Sequence, residues 1–153
     1  MRPLKNFDEF IKNGIVRKQT PDIDRAQSLI KESEKSSKFL NEVAEKIGIN
    51  NENANNIIKN TYDIIMELIR ARMFTEGFNT SGYGAHEAEV SFLRKIGFPE
   101  NEVQLINQLR YFRNGIMYYG KSFDSEYAKK VLNLLKSIKS KLVKNPTKQN
   151  FKS

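Results

Sequence analysis

Residues 52–77 read ENANNIIKNTYDIIMELIRARMFTEG. Ala54, Ile57, Ile58, Thr61, Ile65, Leu68, Ile69 and Met73 recur at the three-and-four spacing of one helix face. Asn50 and Asn51 can cap the start, and Gly77 closes the run. The spacing therefore predicts a helix over about 52–76, long and apolar enough to be central to a core.

The same period extends in both directions. Upstream, Thr20-Pro21 reads as an N-cap followed by a proline at the first helical position. Ile23, Ala26, Ile30, Ser33, Ser37, Leu40, Ala44 and Ile47 then make one face, and Gly48 ends it. Ser33 and Ser37, small and polar at its middle, permit close helix approach or mark a wetter stretch. A short helix is expected at 7–13. Downstream, the stretch 78–84 (FNTSGYG) is a loop. A helix over 85–96 turns Val90, Leu93 and Ile96 inward and ends at Gly97. Pro99 opens another to Tyr119, closed by Gly120. A last helix over 125–144 buries Tyr127, Val131, Leu134, Ile138 and Leu142, and Pro146 stops it. Four glycines, each just past a periodic segment, agree with the hydrophobic period. The fold class is all-α, an up-and-down bundle of four to five main helices in one domain over 1–145. Residues 146–153 form a basic, frayed tail.

Composition narrows the chemistry. The chain has 153 residues, no cysteine and one histidine, His86. Thiolate metal sites, disulfides and histidine-cluster zinc sites are excluded, and no metal or cofactor is expected. The net charge of +8 favours anionic partners. Part of that excess is local, because Lys136, Lys139, Lys141, Lys144, Lys148 and Lys152 occupy 136–153 without an acid. No apolar run approaches the ~20 residues that span a bilayer, and residues 1–10 do not read as a secretory signal. A cytoplasmic protein with no membrane partner is expected.

Residues 99–119, PENEVQLINQLRYFRNGIMYY, carry the chemistry. At ~100° per residue, Leu105, Leu109, Phe112, Ile116 and Tyr119 fall in one stripe, expected to face the core. The neighbouring arc carries Arg110, Arg113, Asn114, Met117 and Tyr118. Paired guanidinium donors suit an oxyanion, so this flank is a candidate phosphate site. The plainer alternative pairs Arg110 and Arg113 with acids such as Glu67 or Glu87. Gly115 allows close approach of a backbone, a ligand or a second copy of the helix.

At this segment the sequence resembles HEPN domains (higher eukaryotes and prokaryotes nucleotide-binding), helical bundles whose hallmark is Arg, a polar residue and then His in the helix before the last. LRYFRNGIMYYGKSFDSEYA is similar to that helix, its turn and the start of the final helix. IIMELIRARMFTEGF followed by SGYGAHEAEVSFL is similar to the central helix, its loop and the helix after it. The resemblance covers about residues 20–140. It implies a homodimer that binds RNA or a nucleotide, metal-independent ribonuclease activity in many members, and in others a toxin paired with a minimal nucleotidyltransferase.

Carried over residue by residue, Arg113 and Asn114 match the start of the motif, and Tyr118 stands where His is expected. Tyrosine, with a pKa near ~10, holds its proton at neutral pH and is a poor base. The expectation is binding of RNA or a nucleotide phosphate by Arg110, Arg113 and Asn114, with weak or no catalysis. The alternative is a ribonuclease using Arg113, Asn114 and Tyr118. His86 and Glu87 are auxiliary candidates, with His86 read as a capping or orienting group. A structural bundle with Gly115 and Tyr118 at a dimer seam is the third reading.

Overall fold

The computed structural model describes residues 2–120 and 122–143, with the side chains of 117–119 outside that description. The tail expected at 146–153 and the side chains of Tyr118 and Tyr119 thus lie outside the described residues. Among these, six helices and two short strands follow in order: α1 (Phe7–Lys12), β1 (Val16–Lys18), α2 (Ile23–Lys46), α3 (Ala54–Thr75), β2 (Phe78–Thr80), α4 (Ala85–Lys95), α5 (Glu100–Tyr119) and α6 (Ser125–Leu142). The fold is an all-α bundle, as the periodicity predicts, and no helix among the described residues is long and apolar enough to cross a membrane.

α3 is the hub. Every residue expected on its core face is buried, and so are Tyr62, Ile64, Met66, Ala71, Arg72 and Phe74 on its other sides. A helix buried nearly all round must be covered by neighbours on every side; α2, α4, α5 and α6 all pack against it. Each fully buried Ile or Leu contributes roughly 1.5–3 kcal/mol. α2 approaches closely where Ala26, Ala71 and Phe74 pack together. Further along α2, Ser33 and Ser37 are buried, and Ser33 returns its hydroxyl to the Ile30 carbonyl at 2.7 Å.

Three local readings are corrected. α2 is capped by Asp22, whose Oδ1 accepts from Arg25 N at 3.0 Å, and Pro21 lies before the cap. The Asp22 N–H is tied to the Phe74 carbonyl at 3.0 Å, which anchors the start of α2 to the end of α3. Asn50 and Asn51 do not occupy the cap of α3. Asn50 Oδ1 closes a turn onto Glu52 N and Asn53 N, while Asn51 Oδ1 accepts from Ser125 N and anchors the start of α6. The pairing of β1 with β2, antiparallel with Val16 opposite Thr80, was not expected. Strands of three residues carry too little alternation to be read. Together with the loop to Gly84, β2 carries the chain back about three turns along α3, so that α4 begins beside Tyr62.

The buried face of α5 is rotated from the expected stripe. Val103, Ile106, Asn107, Leu109 and Ile116 are buried, whereas Leu105 and Phe112 are only partly so. Phe112 instead joins Phe123 and Tyr127 in an aromatic cluster joining α5 to α6. The rotation places Arg110 and Arg113 on the inward side of α5, on the same arc as Ile106 and Leu109. Gly115 is buried within the chain itself.

Candidate anion-binding site

From Thr61 to Thr75 every residue of α3 is buried except Asp63, Glu67 and Arg70. Their spacing of four and three puts them on one line of the helix surface. α5 supplies Arg113 opposite this line. One nitrogen, Nη2, reaches Asp63 Oδ1 and Oδ2, both at 3.3 Å. This is a single donor shared between two oxygens and lacks the parallel geometry that makes a guanidinium–carboxylate pair strong. Both side chains are partly exposed, so the pair contributes under about 1 kcal/mol. Arg113 Nε is buried and has no hydrogen-bond partner among the described residues.

Arg110 lies one turn earlier. Its Nε donates to Asn107 Oδ1 at 3.1 Å, its guanidinium covers the Tyr111 ring at 4.7 Å, and no carboxylate among the described residues lies within ion-pair distance. The expected partners, Glu67 and Glu87, are therefore replaced by Asp63 for Arg113 and Asn107 for Arg110. Glu87 and Asn114 make no side-chain hydrogen bond among the described residues, and Asn114 is exposed. Tyr118 cannot be placed by its side chain, which lies outside the described residues.

α4 closes the seam. Glu89 is almost wholly buried, accepting from Thr80 Oγ1 at 3.1 Å and standing 3.7 Å from Arg70 Nη1. Burial pushes its carboxyl up to about 7, against the opposing pull of Arg70 and the Thr80 hydrogen bond. Burial also raises Glu67, with Arg70 opposing. Burial thus pushes two of the three carboxyls upward while the arginines keep their charge. With Glu89 titrating at about 7, the seam carries less negative charge at neutral pH than its three carboxylates would supply at ordinary values.

The lone histidine belongs to this seam. His86 Nδ1 lies 3.3 Å from the hydroxyl of the buried Tyr62, whose burial raises its pKa and keeps it a neutral phenol. His86 is held below its ordinary value by desolvation and then by Arg70, Arg113 and Arg110, with Asp63 opposing. At pH 7 it is a neutral imidazole whose charged form the three arginines disfavour. Because the chain has one histidine, its titration can be followed by proton NMR without assignment. The titration is expected below that of free histidine, and Arg113→Ala should move it upward. An unmoved midpoint in Arg113→Ala would separate His86 from the arginines.

The structure thus brings together Arg110, Arg113 and His86, and leaves Glu87 and Asn114 aside. Tyr62, Asp63, Arg70 and Glu89 were not anticipated. The sequence carried one legible signal for them: three charged residues at helical spacing inside an otherwise apolar run. No three His, Asp or Glu side chains come together as a metal-binding group among the described residues. The chain matches no protein family, no curated protein and no solved structure with which it was compared.

Proposed function

We propose that the seam between α3, α4 and α5 binds phosphate, and that the chain is a HEPN-like helical protein holding RNA or a nucleotide there. The observation that supports this is the state of the arginines: Arg113 with a buried, unpartnered Nε, beside Arg110 with no carboxylate partner. A buried donor left unpaired costs about 1–3 kcal/mol, and a phosphate oxygen would satisfy it. The homodimer and the minimal nucleotidyltransferase partner implied by the resemblance belong to the same proposal.

Fluorescence anisotropy with labelled RNA tests it. Arg113→Ala and Arg110→Ala should each weaken binding about 10-fold at low salt and reduce the slope of log affinity against log salt by about one. Unchanged affinity and slope in both variants would remove the site.

A specific observation favours a second reading, a metal-independent endoribonuclease. His86 is neutral and meets Tyr62, whose neighbour Asp63 holds Arg113. In the tautomer with its proton on Nδ1, that N–H donates a hydrogen bond to Tyr62 Oη and Nε2 is free as a base. It would take the proton of a ribose 2′-hydroxyl, whose oxygen attacks the phosphorus; the bond to the 5′-oxygen breaks, and that oxygen takes up the proton from the imidazolium or from water. A cyclic 2′,3′-phosphate forms, and the arginines stabilise the added charge. Cleavage by the wild type that is lost in His86→Ala would decide for this reading. Binding without cleavage would decide for the first.

A further inference from the structure

Tyr83 is 96% exposed and makes no ring contact among the described residues. A tyrosine in full solvent adds nothing to the core. Its surroundings, by contrast, are closely held. Gly82 and Gly84 flank it with φ of 83° and 90°, and a Cβ at Gly84 would meet Ile15 Cδ1 at 3.1 Å. Ser81 N donates to the Ile15 carbonyl at 3.1 Å, and Ala85 N to that of Gly82 at 3.3 Å. The loop is therefore fastened on both sides of the ring, and Gly84 is the residue from which α4 starts. His86 lies within one turn of it and stands 3.3 Å from Tyr62, and the next residue of α3, Asp63, holds Arg113 at 3.3 Å.

We propose that Tyr83 is a stacking platform for an unpaired base, and that the strand taken by the arginine seam is single-stranded RNA. The inference rests on the phosphate-binding reading of that seam. Tyr83 stands three residues before His86, which touches the helix face holding Arg113, so a strand whose phosphate sits at Arg113 can bring an adjoining base to this loop. A flat ring presented on a tethered loop loses little freedom when a base settles on it. Every base offers a π-face, so such a contact is tolerant of sequence. In a duplex both faces of an internal base are already covered by its neighbours, and Tyr83 has nothing to stack on. The chain's net charge of +8 favours the polyanion.

The test uses the full chain and labelled RNA of roughly ten nucleotides, single-stranded or as the matching duplex. Tyr83→Ala should weaken single-strand binding by about 5- to 100-fold, while Tyr83→Phe binds as wild type does. Duplex affinity should be the same in all three proteins. A 2-aminopurine base in the single strand should be quenched by the wild type and not by Tyr83→Ala. The exposed position should leave the melting temperature of both variants unchanged. If Tyr83→Ala binds the single strand as tightly as wild type while Arg113→Ala binds it weakly, stacking is overturned and the seam stands. If the wild type binds neither RNA, the seam reading falls and the stacking proposal falls with it.

Discussion

Raising the pH from about 5 to about 8 should cost the protein roughly 3 kcal/mol of stability through Glu89, and Glu89→Gln should not show that loss. The native carboxyl titrates at about 7, above its ordinary value of 4.5. Between those values the folded chain keeps a proton that the unfolded chain has released. Stability from this group is therefore full below the unfolded pKa and is lost as pH rises toward the folded one. His86 works in the opposite direction, because its folded pKa is depressed and the unfolded chain binds its proton more readily. Its contribution grows as pH rises through that folded value. Denaturant unfolding of wild type and Glu89→Gln at each pH cancels the histidine and isolates the carboxyl. The difference should widen in favour of Glu89→Gln as pH rises. A difference independent of pH would mean that Arg70 and Thr80 hold Glu89 ionised.

The sequence made the helices legible because periodicity and stop signals are local properties. Gly48, Gly77, Gly97 and Gly120 follow their helices with positive φ, as expected of residues that end them. The rotation of α5 was less legible. Hydrophobicity assigned Leu105 and Phe112 to the core and Arg113 to a flank, on the rule that charge faces water. That rule fails where a polar line on the opposing helix receives the charge. Asp63, Glu67 and Arg70 form such a line, and Asn107 is buried beside Arg110. Reading α5 alone cannot reveal a partner on α3.

The site was legible in part for the same reason. Arg110 and Arg113 stand one turn apart, which local spacing shows directly. His86 reaches them only because β2 folds the chain back along α3, and a three-residue strand leaves no usable pattern. Thr80 and Glu89 meet through that strand as well. The residues that tune the site's charge are those that depend on long-range pairing.

That dependence makes Gly77 the position where one methyl group should do most damage. Gly77→Ala is expected to destabilise the protein by about 3–4 kcal/mol. Its φ is +83°, and a Cβ built there would stand 2.5 Å from the Gln19 carbonyl oxygen. The left-handed conformation costs an ordinary residue about 1–2 kcal/mol, and forcing packed atoms apart adds about 1–3 kcal/mol. The oxygen is backbone and cannot swing aside, because Gln19 N donates to the Gly77 carbonyl at 2.9 Å and locks the two chains together. Gly48→Ala provides the control. Its φ is +87°, yet a Cβ there meets nothing within 4 Å, so only the conformational cost of about 1–2 kcal/mol applies. Equal losses in the two variants, measured by urea unfolding, would show that the Gln19 contact relaxes at no cost. If instead Gly77→Ala loses more, the separation of β1 from β2 should also reach the site. Thr80 would leave Glu89, the loop that starts α4 would shift, and the His86 titration would move in Gly77→Ala while staying fixed in Gly48→Ala.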